Sequence, residues 1–382
     1  MSPQDEIRKK RATSTKWMKY PQDVLPAWIA DMDLGIAPVI AEETKSRIDL
    51  GDLGYPCLEI ETVLLDAFSD RYIEKFNTPL DPQLGLVATD VVQSIIISLL
   101  TLTDPGDGVI VQTPIYPPFL HSVENTGRIL LENPLLQSDD SWDINFDQLE
   151  NLASNSSAKL LLLCSPHNPT GRVFTQRELV KVAEICERYG VLVVADEIHC
   201  DIVFQPNYHI PFASISPEFA SNVVTMNSAT KSFNIAGLRC SIVHFGSTEL
   251  KSRYEQFNAH VRGSISSLSM LAATVAWQKG DSWLDSVLTI LRANRDTLSQ
   301  FVRKNTFGLR YSAPQGTYLG WLDFRDTKAS SSPQDYLLQK ARVALSDGSD
   351  FGEPGIGWAR LNFATQPEIL QEILDRISSA FE

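Results

Sequence analysis

Residues 159–196 read KLLLLCSPHNPTGRVFTQRELVKVAEICERYGVLVVAD and contain the pattern that decides the fold. Two apolar runs in this stretch, Lys159–Cys164 and Val191–Ala195, have the length and composition of buried strands. A helix is predicted between them, because Thr175 and Glu178 match a capping box and a glycine follows the last helical turn. A strand, a helix and a strand in this order predict parallel strands joined by a right-handed crossover.

The same alternation continues on both sides of this stretch. Val109–Gln112 and Val223–Met226 are two further apolar runs of strand length. Amphipathic stretches separate the runs, with helices predicted from Asp90 to Leu102, across Ala259–Lys279 and from Asp281 to Lys304. The sequence therefore predicts an α/β domain built on parallel strands.

The last part of the chain has a different character. Tyr318–Phe324 and Trp358–Phe363 are predicted strands, and a final helix is expected to start at about Gln366. These elements predict a small α+β domain. We expect three regions: an N-terminal segment at 1–45 that packs with the small domain, a large α/β domain at 46–283 and a small domain at 284–382.

Composition excludes several classes of partner. The chain has 382 residues and a net charge of −14, which argues against a nucleic-acid partner. Five cysteines without CxxC spacing favour a reducing compartment, so we expect a cytoplasmic protein. The apolar runs are too short to cross a membrane. No apolar region follows the basic cluster Arg8–Arg11, which is therefore expected to be a solvated tail rather than a targeting signal.

Each of the four apolar runs is followed by a residue whose side chain can bind a ligand. Tyr116 follows the first run, Asn168 the second, Asp196 the third and Lys231 the fourth. Ligands of open α/β sheets bind at the carboxyl ends of the strands, so these four side chains should meet at one edge. An aromatic ring, an amide, a carboxylate and an amine suit a flat, charged heteroaromatic ring that bears an aldehyde.

Several segments extend this pattern into a family resemblance. Three of them resemble the hallmark segments of fold-type-I pyridoxal-phosphate (PLP) enzymes, the aminotransferase class I/II superfamily: SPHNPTG at 165–171, DEIH at 196–199 and SATKSFNIAGLR at 228–239. Three others resemble the cystathionine β-lyase (C–S lyase) branch: RATSTKW at 11–17, LPAWIADMD at 25–33 and GYP at 54–56. The resemblance spans nearly the whole chain and implies a mostly parallel seven-stranded sheet flanked by helices, with a smaller α+β domain.

The resemblance also implies roles for the residues at the strand ends. Lys231 would hold pyridoxal 5'-phosphate as a Schiff base, and its freed amine would remove the Cα proton of the substrate. Asp196 would pair with the pyridine nitrogen and keep it protonated. Asn168 would donate a hydrogen bond to the phenolic oxygen of the cofactor, and Tyr116 would stack on its ring.

A second set of residues is implied for the cofactor phosphate. The amides of Val91 and Val92 open a predicted helix, whose N-terminus attracts anions. Ser228 and Arg239 stand at positions that bind phosphate in the superfamily. Asp90 departs from the usual pattern, since an aspartate beside a phosphate is unfavourable unless it caps the helix and points away.

The substrate and a second subunit complete the implied site. Arg360 matches the arginine that grips the substrate α-carboxylate, and Asn168 and Trp28 are expected to contact the substrate as well. Tyr55 would reach the phosphate of the neighbouring subunit, which implies a homodimer with shared active sites.

Two other kinds of site are weighed against this one. Asp196, Glu197, His199 and Asp201 could suggest a metal site, but adjacent residues of an extended chain point to opposite faces. We therefore expect no metal. For His199 we expect a role in supporting other site residues or in the structure, rather than in catalysis. A dinucleotide site is excluded because no G-x-G-x-x-G lies between a strand and a helix.

Three functions remain open from the sequence. The leading hypothesis is a PLP-dependent C–S β-lyase that cleaves a cysteine S-conjugate such as cystathionine to a thiol, pyruvate and ammonia. The alternative is an aminotransferase that acts on a small amino acid and a 2-oxo acid. A non-catalytic binding module is the third, and the complete set of lysine, aspartate, asparagine and arginine argues against it.

Overall fold

The computed structural model of the protein describes residues 3–138 and 141–382. The strands within these residues are β1 (Leu25–Pro26), β2 (Gly85–Ala88), β3 (Gly108–Val111), β4 (Ile129–Glu132), β5 (Leu136–Gln137), β6 (Trp142–Asp143), β7 (Ala158–Cys164), β8 (Leu192–Asp196), β9 (Val223–Asn227), β10 (Ser241–Phe245), β11 (Arg310–Tyr311), β12 (Leu319–Asp323), β13 (Val343–Ala344), β14 (Ser346–Asp347) and β15 (Trp358–Asn362). The helices are α1 (Pro3–Lys10), α2 (Thr15–Met18), α3 (Pro38–Asp49), α4 (Leu58–Phe76), α5 (Val91–Leu102), α6 (Pro117–Asn125), α7 (Phe146–Ala153), α8 (Gln176–Tyr189), α9 (Ala229–Ser232), α10 (Thr248–Glu255), α11 (Ala259–Arg262), α12 (Ser267–Lys279), α13 (Asp281–Lys304), α14 (Pro333–Lys340) and α15 (Pro367–Phe381).

The large domain is built on a seven-stranded sheet with the strand order β2-β10-β9-β8-β7-β3-β4. Neighbouring strands are parallel except β10, which runs antiparallel to both β2 and β9. This sheet confirms the predicted α/β fold. Four of its strands were predicted from apolar runs. The two edge strands, β2 and β4, are only partly buried, and an edge strand has a weaker apolar signal than a central one.

The predicted crossover between β7 and β8 sets the geometry of the site. Thr175 and Glu178 form the capping box of α8, and Gly190 ends the helix in the left-handed conformation with φ 68°. The two strands pair in parallel so that Cys164 lies opposite Asp196. Asp196 in turn lies opposite Met226 of β9. The loops that leave these three strands therefore begin at the same level of the sheet.

One predicted helix is divided in two. Residues 259–279 form α11 and α12 rather than one helix, because Gly263 has φ +82° and breaks the helical backbone. Ser266 then caps α12, with its hydroxyl oxygen accepting a hydrogen bond from the amide of Leu268 at 3.2 Å.

The long helix α13 lies in the chain between the last strand of the seven-stranded sheet, β10, and the first strand of the four-stranded sheet, β11. It has 24 residues, and its buried face includes Leu284, Val287, Leu291 and Leu298. Its other face is polar, as expected of an amphipathic helix that packs on a core. Across the ranges that the structure describes, no helix has the length and apolar character to cross a membrane.

The small domain has an antiparallel four-stranded sheet with the order β11-β12-β15-β14. N-terminal residues share its hydrophobic core, which includes Ile7, Trp17, Leu25, Met32, Leu298, Tyr318 and Leu361. The short strand β1 also pairs with β13. This packing supports our proposal that the N-terminal segment packs with the small domain for residues 3–34, while residues 1 and 2 lie outside the described residues. The remainder of the proposed segment, to residue 45, differs, because Ala37 and Ile40 lie in a separate core with α4 and α12. The proposed boundary between 283 and 284 falls in the first turn of α13.

Candidate active site

The carboxyl ends of the central strands open into a cavity of about 950 Å³. Five of the predicted residues line it together: Tyr116, Asn168, Asp196, Lys231 and Arg360. The first four leave the large-domain sheet at β3, β7, β8 and β9, as the strand-end argument predicted. The fifth comes from β15 of the small domain. The cavity is therefore lined from both the seven-stranded and the four-stranded sheets.

The amine of Lys231 is held at the cavity wall by a backbone carbonyl. Its Nζ donates a hydrogen bond to the oxygen of Ala30 at 2.9 Å, and the hydroxyl of Tyr318 donates to the same oxygen at 3.2 Å. Burial and the nearby charge of Arg360 lower the pKa of Lys231 to about 8, against the opposing influence of Asp31 and Asp196. At pH 7 roughly one amine in ten is therefore neutral.

Asp196 points into the cavity from the end of β8. Its Oδ1 accepts a hydrogen bond from the amide of Ile198 at 3.0 Å. Burial raises the pKa of Asp196 to about 7, and the charge of Glu197 acts in the same direction. Glu197 itself points away and accepts a hydrogen bond from the hydroxyl of Tyr72 at 2.9 Å. The two carboxylates thus face opposite ways, as the alternation along a strand predicted.

Arg360 is a buried cation whose described partners are all neutral. One of its nitrogens donates to Oδ1 of Asn168 at 2.9 Å. The other terminal nitrogen donates to the carbonyl of Trp28 at 3.1 Å and to the hydroxyl of Ser346 at 3.2 Å. Burial lowers the pKa of Arg360 to about 10, so the side chain stays charged at neutral pH. A buried guanidinium without a carboxylate partner favours binding of an anion.

The N-terminus of α5 lies at another wall of the cavity, with Val91 and Val92 in its first turn. Asp90 caps this helix, since its Oδ1 accepts from the amide of Gln93 at 2.8 Å. Its Oδ2 is paired with Nη1 of Arg239 at 2.8 Å. Asp90 thus caps the helix as predicted, but it does not point away, because it lines the cavity and pairs with Arg239. The helix end and Arg239 are the groups here that can attract an anion.

Ser228 lines the cavity and caps the short helix that carries the lysine. Its hydroxyl oxygen accepts from the amide of Thr230 at 3.1 Å, lies 2.7 Å from the hydroxyl of Thr230 and also contacts the carbonyl of Cys240. These contacts fix the segment that leads to Lys231. A phosphate contact of Ser228 stays a prediction.

Two predicted residues are not brought into the cavity. Tyr55 is fully exposed, in the segment between α3 and α4. The indole of Trp28 lies outside the cavity lining, because it donates to the carbonyl of Lys16 at 3.2 Å and lies under the ammonium of Lys19. The carbonyl of Trp28, rather than its ring, contacts Arg360.

His199 lines the cavity, and its predicted role, supporting or structural rather than catalytic, stays a prediction. Its Nδ1 is buried without a hydrogen-bond partner among residues 3–138 and 141–382, and its ring packs edge-on against Tyr318 with centroids 6.0 Å apart. Burial lowers the pKa of His199 to about 3, so the imidazole is neutral. Its position in the DEIH segment was the available signal.

The basic cluster near the N-terminus is not simply a solvated tail. Arg8 donates to the carbonyl of Trp17 at 2.7 Å, and Arg11 pairs with Asp31 at 2.8 Å. Both members of the second pair line the cavity. Sequence reasoning missed this contribution because a charge cluster at a terminus has no periodicity that marks a folded partner.

Several known proteins are similar to this chain in sequence and fold. A sequence model of the family aminotransferase class I and II matches residues 32–377. Cystathionine beta-lyase PatB of Bacillus subtilis is 35% identical, with 96% of each chain covered. The crystal structure of cystalysin from Treponema denticola, which contains pyridoxal 5'-phosphate, is similar with a TM-score of 0.92 and 29% identity, covering 97% of this chain and 96% of that one. The PLP-bound C–S lyase of Staphylococcus hominis has a TM-score of 0.92 and 26% identity, with 98% and 97% covered.

These similarities extend over both domains and the segment that joins them. The chain belongs to the aminotransferase class I and II family.

Proposed function

We propose that the protein is a PLP-dependent C–S β-lyase, which cleaves a cysteine S-conjugate by α,β-elimination to a thiol, pyruvate and ammonia. One observation carries the proposal: a lysine, a carboxylate, an amide and an arginine that are remote in sequence line the same cavity. The names of relatives that align over nearly the whole chain support the lyase reaction.

The residues of the cavity fit pyridoxal 5'-phosphate. When bound, this cofactor supplies an aldehyde that bonds to amines and a ring that draws electrons from the substrate Cα. Lys231 presents an amine whose lowered pKa suits that bond. Oδ1 of Asp196 accepts from the amide of Ile198, and its other carboxylate oxygen has no protein partner in the described ranges. That oxygen is available to the protonated pyridine nitrogen of the cofactor. The N-terminus of α5 and Arg239 suit the phosphate.

Two side chains of the protein then have separate roles in the reaction. Arg360 binds the substrate α-carboxylate and so determines which Cα bond faces the electron-withdrawing ring. Lys231 takes the proton from Cα through its neutral Nζ. The sulfur leaves from Cβ as a thiol, and the remaining three-carbon fragment hydrolyses to pyruvate and ammonia.

The proposal is tested by product formation. PLP-loaded protein is incubated with cystathionine and with several other cysteine S-conjugates, and pyruvate and thiol are assayed together. We expect both products in equal amounts. Absence of both products across all the conjugates would reject the lyase function.

The family match keeps an aminotransferase as a second candidate, because the matching family is named for that activity. In that reaction Lys231 would still move the Cα proton, but the amino group would pass from the amino acid to a 2-oxo acid and no sulfur would leave from Cβ. A requirement for a 2-oxo acid, with no thiol released, would assign the protein to this alternative.

The lysine pKa predicts how the apoprotein takes up its cofactor. With a pKa of about 8, the neutral fraction of Lys231 rises about tenfold between pH 6 and pH 7 and levels off above pH 8. We expect the rate of PLP incorporation, followed by absorbance after mixing, to show the same profile. Free Nα-acetyl-lysine is the control and should keep rising towards pH 10. A rate that still rises tenfold per pH unit above pH 8 would contradict the lowered pKa.

The proposed carboxylate clamp predicts a large effect of Arg360→Lys. A lysine cannot reproduce the planar fork that contacts Asn168, Trp28 and Ser346, nor bind a carboxylate through two parallel bonds. We expect kcat/KM for S-conjugates to fall about a hundredfold. Steady-state pyruvate release measures it, with Arg303→Lys on the exposed face of α13 as the control. A fall of less than threefold would show that Arg360 does not bind the substrate α-carboxylate.

We also propose a homodimer in which the partner's Tyr55 reaches the cofactor phosphate. Tyr55 is fully exposed in the single chain, and Leu50, Leu53 and Leu58 around it are exposed too. Such a segment favours burial against another surface. Light scattering should give twice the mass of one chain.

We propose a cytoplasmic location because the cysteines are unpaired. None of the five is paired, and four of them are buried thiols. Unpaired thiols of this kind are typical of a reducing compartment. Fractionation of cells that produce the protein would test the location directly.

A further inference from the structure

A second, fully buried carboxylate follows the aspartate of the cavity. Glu197 is the residue after Asp196, at the point where β8 ends, and its side chain has an exposure of 0%. Asp196 lines the cavity, whereas Glu197 does not and faces the other side of the sheet. The reaction proposed above does not involve Glu197, yet burying a carboxylate is costly unless its oxygens have partners.

Groups from two segments of the chain hold the carboxylate of Glu197. The hydroxyl of Tyr72 on α4 donates to Oε2 at 2.9 Å, and the amide of Phe212 donates to Oε1 at 2.8 Å. Nε2 of His209 lies 3.2 Å from Oε2. The hydroxyl of Tyr72 in turn accepts a hydrogen bond from the side-chain amide of Asn227 at 3.1 Å. Each oxygen of Glu197 thus has a donor, as an ionised carboxylate requires.

The arginine nearest to this region does not cancel the charge of Glu197. Arg71 pairs with Asp201 at 2.8 Å and with Asp281 at 3.0 Å. Two carboxylates already face this one guanidinium. The negative charge of Glu197 is therefore left to act on its other neighbours.

Most titratable neighbours of Glu197 are neutral. Burial, together with the charge of Glu197, raises the pKa of the Tyr72 hydroxyl. Burial likewise raises the pKa of the Cys200 thiol. Of the described side chains that contact the Glu197 carboxylate, His209 alone can become a cation. While His209 is neutral, the negative charge of Glu197 acts undiminished on Asp196.

The charge of Glu197 adds to the attraction of Asp196 for a proton or a cation. Burial raises the pKa of Asp196 to about 7, the charge of Glu197 contributes to this rise, and Lys231 opposes it. Tyr116 and Cys164 are also within reach of the charge of Asp196, and burial raises the pKa of both, so they stay neutral. In the absence of a ligand the two carboxylates repel each other, and a cation beside Asp196 relieves that repulsion.

We propose that Glu197 is a positioning residue for the cofactor, whose buried negative charge strengthens the pairing of Asp196 with the protonated pyridine nitrogen of PLP. Two carboxylates in succession attract that cation more strongly than one, because charges interact over longer distances in the protein interior than in water. Tyr72 and Phe212 keep the second carboxylate fixed and its oxygens satisfied. The inference rests on the binding of PLP and is independent of whether elimination or transamination follows.

The test compares PLP with its 1-deaza analogue, in which a C–H group replaces the pyridine nitrogen and cannot hold a proton. Dissociation constants of both compounds are measured by ultrafiltration at about pH 8.5, where an ordinary histidine is neutral. In Glu197→Gln, which removes the charge and keeps the size, we expect the ratio of the deaza constant to the PLP constant to fall about tenfold. Glu197→Asp keeps the charge and should keep most of the ratio.

Tyr72→Phe is the matched control. It removes a hydrogen bond from the same carboxylate but leaves the charge of Glu197 in place. We expect its melting temperature to fall, while the ratio of dissociation constants stays within about twofold of the wild type. A ratio that is unchanged in Glu197→Gln, or that falls equally in Tyr72→Phe, would show that Glu197 serves only the fold.

A second neutral variant separates charge from packing. Glu197→Met has a similar length and packs differently from glutamine, so both variants should lower the ratio by the same factor if the charge is responsible. Different factors in the two variants would contradict the proposal. No amino-acid substrate is present in these measurements. Failure to release thiol would therefore reject the lyase function without changing the ratio, and an unchanged ratio with normal thiol release would reject only the role of Glu197.

Discussion

Replacing Lys231 with alanine is expected to lower kcat for elimination by at least about a thousandfold. The variant loses both the amine that bonds to the cofactor and the group that takes the Cα proton, and proton transfer alone contributes on the order of 10² to 10⁴. Pyruvate release from cystathionine measures the loss. Borohydride reduction of the PLP-loaded wild type should leave a pyridoxyl adduct on the peptide that contains residue 231, and the variant should show none.

A lysine outside the cavity gives the control for this result. Lys340 is exposed on α14, and Lys340→Ala should keep wild-type turnover and the adduct. Folding of Lys231→Ala can be checked by its melting temperature without cofactor. Turnover of Lys231→Ala within tenfold of the wild type, or an adduct on another peptide, would show that a different amine does the chemistry.

The fold could be predicted from the sequence because the signals for its strands and helices are local. The strand, capped helix and strand across 159–196 contain their own boundaries, and the structure has each of them within one residue. Four residues at strand ends could be placed at one edge because parallel strands have a common direction. Strands β2, β4 and β10 had weaker signals, since two are edge strands and β10 includes Ser241 and His244.

The site was only partly predictable, since its remaining contacts are between distant segments. The carbonyl of Ala30 holds Lys231 across 201 residues of sequence, and Ser346 contacts Arg360 through a strand pair of the small domain. The pairing of Arg11 with Asp31 depends on how α1 packs on the small-domain core. No local periodicity encodes such contacts, so they required the tertiary structure.

The second large effect is expected for Asp196→Asn. An asparagine has nearly the same shape but no charge, so it cannot keep the pyridine nitrogen protonated. Losing one member of a buried charge pair costs on the order of 2–5 kcal/mol, which corresponds to a fall in kcat of roughly 30-fold to several thousandfold. Pyruvate release measures this fall, while the spectrum should show that the cofactor still bonds to Lys231. Asp296→Asn, an exposed substitution on α13, is the control.

The same variant should have the opposite effect on the stability of the apoprotein. The pKa of Asp196 is raised from its ordinary value of 3.8 to about 7 in the folded chain, so ionisation opposes folding. This carboxyl destabilises the apoprotein increasingly as pH rises from about 4 through 7, by a few kcal/mol once it is fully ionised. Asparagine removes that cost. At pH 8 the melting temperature of apo Asp196→Asn should therefore equal or exceed that of the wild type, although the holoenzyme is nearly inactive. A lower melting temperature would mean that the carboxylate of Asp196 stabilises the fold. The loss of activity in Asp196→Asn would then reflect a damaged fold rather than a missing partner for the cofactor ring.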